Sequence, residues 1–176
     1  MTRAVLARLP ELGGQPISLS IRDNLTVVIG GRDTGLPVHA AADLTRRRIL
    51  LDRELLASPR EFERILIHEL AHFAWRRLGN PRRWSFEALV AGEIKAHARG
   101  ELGWSAESRK AGLTGKDIAH RSRRWRGYLC ESFCDTAAWY FGSARGHAEF
   151  TLAARHQRRR ANWFRDLGRG SQRIAL

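Results

Sequence analysis

Apolar positions change their period along this chain. Residues 16–22 (Pro-Ile-Ser-Leu-Ser-Ile-Arg) alternate apolar and polar, the period of a half-buried strand. Asp23-Asn24 signals a turn, residues 25–29 make a second apolar run, and Gly30-Gly31 ends it, so 16–30 reads as a β-hairpin. Residues 32–46 carry no clear period and read as loop or weak helix. A strand follows at Arg48-Ile-Leu-Leu-Asp52. From Ser58 the period lengthens. Ser58 as N-cap, Pro59 at the first position and Glu61 at the third mark a helix start. That helix runs to about Leu78 and stops at Gly79-Asn80-Pro81.

The second half is helical. Ser85 to Arg99 places Phe86, Leu89, Val90 and Ile94 on one side. Residues 100–124 are cut into short turns and short helices by Gly100, Gly103, Gly112 and Gly115. Residues 125–141 return to a helix, with Leu129, Phe133, Ala137 and Tyr140 spaced for one buried stripe and Gly142 as its end. A basic helix over about 147–166 follows, and residues 171–176 read as a frayed tail. The pattern predicts an α+β fold: a small, mainly antiparallel sheet of about three strands packed on several helices. One domain is expected over 1–170, with a helical insertion at about 80–124.

The longest apolar run of the helix at 58–78 encloses polar residues at fixed places: Ile65-Leu-Ile-His68-Glu69-Leu-Ala-His72-Phe73. Positions four apart share a helix face, so the imidazoles of His68 and His72 can grip one metal ion from the same side. Glu69 is turned by roughly 100° from His68. It can border the ion without binding it, where a general base for water must stand.

A catalytic zinc site commonly takes a third protein ligand. The helix at 125–141 offers Glu131 and Asp135, four apart and on one face. Burying two carboxylates is costly unless a positive charge lies there, which a metal ion would supply. Glu131 is the candidate third ligand, and Asp135 the acceptor for the outer N–H of a ligand imidazole. Cys130 and Cys134 flank Glu131. Either thiolate is an alternative ligand, although a helical Cys is more often a small buried hydrophobe. Four apart on one helix, they are badly placed to bridge each other.

H-E-x-x-H followed on a later helix by E-x-x-x-D resembles the gluzincins, the thermolysin-like clan of zinc peptidases, and within it the small single-domain minigluzincins. The resemblance covers residues 45–78 and 125–141. It implies Zn(2+) bound by His68, His72 and Glu131, with Glu69 as general base and Asp135 as partner of His68. It also implies that the strand at 48–52 is an edge strand available to extended substrate. Two features depart from the clan. Glu131 follows His72 by 59 residues, farther than in thermolysin, and no secure match exists for the oxyanion-stabilising His or Tyr. Tyr128, Tyr140, His147 and His156 are the candidates, with His147 preferred because it opens the helix after Glu131.

Composition adds a second theme. Net charge is +13, and only Lys95, Lys110 and Lys116 among the basic residues are lysines. Arginines cluster beside aromatics at 75–77, 82–84, 121–126 and 158–163. Such clusters suit phosphate contact, yet they fall in separate segments, so the reading leans toward scattered, solubilising charge. The expected partner is a peptide or protein substrate; nucleic acid stays open but is not favoured. The alternative function is a non-enzymatic basic protein that binds nucleic acid or an acidic partner around a relic or structural metal site. No apolar run reaches membrane-span length and no signal peptide is read at the N-terminus, so the expected compartment is cytoplasmic. Two cysteines do not make a disulfide scaffold.

Overall fold

The strand Arg48–Asp52 (β6) organises the sheet, because Ile49 and Leu51 point into the core with almost no exposure. In this computed structural model, residues 2–7, 9, 11–29, 32–144, 146–169 and 173–175 are described. Elements in chain order are α1 (Thr2–Leu6), β1 (Glu11–Gly13), β2 (Ser18–Arg22), β3 (Thr26–Ile29), β4 (Arg32–Pro37), β5 (Ala40–Asp43) and β6. A 3-10 turn at Arg53–Ala57 leads into α2 (Pro59–Arg77). Then come α3 (Asn80–Lys95), α4 (Trp104–Ala111), α5 (Gly115–Ala119), α6 (Arg123–Phe141), α7 (Ala154–Arg169) and β7 (Arg173–Ala175).

The fold is α+β, and its main sheet is mixed. β6 lies in the middle of the order β2-β6-β5, parallel to β2 and antiparallel to β5. The expected hairpin over 16–30 does not form. The turn at Asp23-Asn24 exists, with Asn24 in the left-handed region. However, the Leu25 N–H is taken by the Asp52 carboxylate at 2.7 Å, so the chain leaves the sheet instead of folding back on β2. β3 pairs with β4, within residues 32–46 that the pattern assigned to loop; the expected stop at Gly30-Gly31 lies outside the described residues. β5 follows in the same segment. β6 is therefore central, and β5 is the edge strand on the side of α2. The cause is local: Ala40-Ala41-Ala42 has no polar alternation to announce a strand, and its pairing with β6 decides the matter.

α2 begins as read. Ser58 holds the N-cap position and Pro59 the first turn, although the Ser58 side chain makes no capping bond and its carbonyl accepts the Phe62 N–H. Gly79 both ends α2 and caps α3, which starts at Asn80, five residues before the pattern suggested. α6 opens on Ser122, whose hydroxyl accepts the Trp125 N–H. α7 starts at Ala154 instead of near His147, because residues 147–150 close a turn of their own. Residues 173–175, read as part of a frayed tail, pair in parallel with Glu11–Gly13; 171, 172 and 176 lie outside the described residues.

α2 and α6 pack along each other at the centre, and buried side chains from β6 and every helix but α5 form one main apolar cluster, against which Ile118 of α5 is partly buried. Phe133 of α6 stacks on Phe164 of α7 and meets Phe86 of α3 edge-on. The segment between α2 and α6 is not peripheral: α4 lies directly against α6. No helix among the described residues is long and apolar enough to cross a membrane.

Candidate metal centre

α2 presents His68 and His72 to the same side, with ring centroids 5.0 Å apart and planes crossing at 75°. α6 brings Glu131 between them. Its Oε2 lies 3.3 Å from His68 Nε2 and 3.7 Å from His72 Nε2. Ligands about 2.0–2.1 Å from a tetrahedral zinc ion stand about 3.3–3.4 Å from one another. The spacing of Glu131 Oε2 from His68 Nε2 matches that value, and its spacing from His72 Nε2 is slightly longer. The residues that the sequence singled out on two separate helices are brought together.

Each donor is held from behind. Asp135 Oδ1 lies 2.8 Å from His68 Nδ1, which leaves Nε2 facing inward. Asp135 Oδ2 accepts the Ala106 N–H at 2.8 Å and so anchors the first turn of α4. His72 Nδ1 meets Cys130 Sγ at 3.4 Å. The outer oxygen of Glu131, Oε1, is 3.1 Å from Arg109 Nη2. Three of these contacts involve α4 or a cysteine, and the sequence reading assigned no such role to Ala106, Arg109 or Cys130. Within 100–120 the glycines and two lysines stood out, and no i,i+4 pattern ties that segment to α6.

Electrostatics show what the centre demands. Burial opposes charge on His68, yet the Asp135 and Glu131 carboxylates outweigh it and raise the imidazole to about 10. Burial would raise Glu131, but hydrogen bonding from His68 and the charges of His72 and Arg109 bring it down to about 2. Burial also opposes charge on His72, and contact with Cys130 raises it. Both imidazoles are thus drawn toward their protonated form by the groups around them. A cation between the rings would displace those protons, as metal binding generally does.

Cys134 gives a second donor set. Its Sγ and one nitrogen of each imidazole all lie within 4.8 Å of one another. Burial, however, pushes this thiol well above its ordinary range, and the neighbouring Cys130 adds to that. The Glu131 carboxyl is drawn the opposite way, toward its charged form, by His68, His72 and Arg109. Cys130 moves the other way, to about 6, chiefly through a hydrogen bond from Cys134, with His72 also lowering it.

Glu69 lines an open cleft of about 480 Å³ together with His68, Asp135, Val38, His39, Arg64 and Trp104. Burial raises its carboxyl, while the imidazoles and the Ala42 N–H pull the other way. β5, the edge strand, thus borders the same cleft as Glu69. His147 does not stand free over this cleft. Its Nε2 lies 2.9 Å from Glu61 Oε1 and its Nδ1 accepts the Glu149 N–H, so both nitrogens are engaged. Tyr128 donates to buried Glu101, Tyr140 packs on Phe164, and His156 is buried near Glu93. The imidazole that lines the cleft beside His68 is His39, exposed just before β5, which the sequence reading passed over.

A second polar cluster lies beneath the site. Arg160 is fully buried and bonds Glu93 at 2.7 Å and Glu101 at 2.8 Å. Lys110 adds a contact to Glu101 at 3.1 Å. One member of the basic run at 158–160 is therefore an internal tie between α3, α7 and the turn before α4. Comparison with protein-family models, curated proteins and solved structures finds no match for the chain.

Proposed function

We propose that this protein is a zinc-dependent peptidase in which His68, His72 and Glu131 hold the ion and Glu69 is the general base. The supporting observation is the convergence of both inward imidazole nitrogens on Glu131 Oε2, with Glu69 on the same helix lining the adjoining cleft. When bound, zinc supplies a Lewis acid that polarises a carbonyl and eases deprotonation of water.

The chain's own groups account for the remaining chemistry. Glu69 takes a proton from the attacking water and hands it to the leaving amine. Its raised affinity for a proton, a consequence of burial, suits it to both halves of that transfer. Asp135 fixes the tautomer and orientation of His68. Cys130 meets the corresponding nitrogen of His72. The Ala42 N–H on β5 favours the charged form of the Glu69 carboxyl. β5 offers an open edge along the cleft, which suits an extended peptide. The resemblance to gluzincins agrees with this arrangement, with β5 in place of residues 48–52 as the strand beside the substrate.

Elemental analysis of gently purified protein, paired with hydrolysis of a peptide library, tests the reading. About one zinc per chain is expected, and Glu69→Gln should keep the metal while abolishing cleavage. A Glu69→Gln variant as active as the parent rules the mechanism out. Metal bound equally well by Glu131→Ala rules out the ligand set.

A further inference from the structure

Arg109 connects the metal centre to a different feature of the surface. With Arg123, Arg124, Arg126 and Gly127 it lines an open depression of about 580 Å³. All four arginines are exposed. Glycine within a helix costs about 1 kcal/mol relative to alanine. A Cβ at Gly127 would meet Arg109 Nη1 at 3.7 Å, an ordinary contact, which places Arg109 directly over this turn of α6.

Charge on this face is poorly matched from within. Arg126 bonds the Arg121 carbonyl, and Arg121 itself is paired with Glu87. Asp117 acts on Arg124 only at a distance, since its oxygens serve Thr114 and Ser122. Glu131 alone among the described carboxylates forms an ion pair with a lining residue, through Arg109.

We propose that Arg109, Arg123, Arg124 and Arg126 bind the phosphate backbone of a nucleic acid, and that Arg109 is shared between that backbone and Glu131. Guanidinium forks match phosphate oxygens in pairs. The lining holds arginine and glycine and no apolar or aromatic side chain. A protein partner wants an apolar or aromatic anchor at its centre, and a membrane wants something to insert. A sugar–phosphate backbone wants neither. With no stacking surface in the depression, contact is to backbone and carries no base readout. The second clause rests on the metal reading: a phosphate that draws Arg109 away frees Glu131 Oε1 and loosens the carboxylate between the imidazoles.

Binding of a short fluorescent duplex DNA to the full chain, followed by anisotropy across a salt series, tests the face without any reference to metal. Each phosphate contact contributes about 0.9 to the slope of log affinity against log salt. The variant Arg123→Gln/Arg124→Gln/Arg126→Gln should lower that slope by about 2.7. The charge-matched variant Arg76→Gln/Arg77→Gln/Arg159→Gln should leave it unchanged. No binding by the parent at low salt overturns the proposal, and so does an equal fall in both variants, which means diffuse attraction. Poly-L-glutamate competing as well as DNA would transfer the face to an acidic protein. Inorganic triphosphate binding as tightly as duplex would reduce it to a small-anion site.

Release of zinc to a chelator reads the shared role of Arg109. Duplex DNA should speed release from the parent, and in Arg109→Gln release should no longer respond to DNA. Release insensitive to DNA in the parent overturns the sharing. A parent that carries no zinc counts against the peptidase reading and leaves the anisotropy result standing.

Discussion

The Asp135 carboxylate fills the space that a side chain at Gly103 would occupy: a Cβ there would stand 2.2 Å from Asp135 Cγ. Gly103 caps α4 with φ of 175°, an extended conformation open to any residue. The glycine is therefore required by contact and not by backbone strain. It lets α4 approach α6 closely enough for Ala106 to donate to Asp135, whose other oxygen faces His68.

Gly103→Ala should accordingly act on the metal. The added methyl cannot coexist with Asp135 in place, so the carboxylate must swing off His68. Zinc affinity should fall by about 10- to 100-fold, the usual effect of losing a partner behind a ligand histidine. Competition with a chromophoric chelator measures this, and circular dichroism should show the helices intact. Affinity equal to the parent's would mean that His68 is oriented by something else.

Asp135→Asn keeps the volume and the bond from Ala106 but removes the negative charge. A loss of about 10- to 100-fold in zinc affinity is expected here too. Combined with Gly103→Ala, it should add little, because both changes break the same contact. Additive losses in the double variant would separate the two effects and refute the shared cause.

Arg160 anchors the polar cluster below the site. Arg160→Met strips Glu93 of its guanidinium and leaves Glu101 only Lys110 and the Tyr128 hydroxyl, and removing one partner of a buried ion pair costs about 3–5 kcal/mol. Urea unfolding should reveal that loss with the m-value preserved. The pH dependence has a defined sign. Burial would raise Glu101, but Arg160 and Lys110 hold it below its ordinary value of 4.5. A carboxyl lowered in the folded state contributes stability that is complete above its unfolded value and is lost as pH falls through its folded one. Parental stability should therefore decline below about pH 4.5. A parent equally stable at pH 3 and pH 7 would contradict the assignment.

What the sequence disclosed followed from local spacing. His68 and His72 sit four apart on an apolar helix, as Glu131 and Asp135 do on another, and each pair shares a face by helix geometry alone. The facing of the two pairs could be inferred because opposite charges need each other in a core. Strands were less legible. The alternation at 16–22 signalled a strand but pointed to the wrong partner, since the true one lies about thirty residues on and parallel to it. β5 was invisible because three alanines carry no period. Arg109, Arg160 and Gly103 were hidden for a different reason. Each acts through a tertiary contact 22 to 67 residues distant, and an isolated arginine or glycine looks alike in the core, at a ligand or on the surface. The basic runs were misleading in just this way, since Arg160 turned inward while Arg123, Arg124 and Arg126 joined Arg109 outside.

Glu131 and Cys134 make opposite predictions about the third ligand. Both lie near the imidazoles, so geometry alone admits either. Their environments differ. The Cys134 thiol has no exposure and is surrounded by groups that resist a further negative charge, with Glu131 and Asp135 among them. Making it a thiolate would add a third anion to a pair of carboxylates already present. Glu131 is already ionised, and Arg109 balances its outer oxygen. Cys134→Ala should therefore retain about one metal per chain with unchanged affinity, whereas Glu131→Ala should lose most binding. Cobalt substituted for zinc gives an independent view. A glutamate-ligated site should lack the intense near-ultraviolet charge-transfer band that a cobalt–thiolate bond produces. Its appearance in the parent, and its disappearance in Cys134→Ala, would move the third ligand from Glu131 to the cysteine.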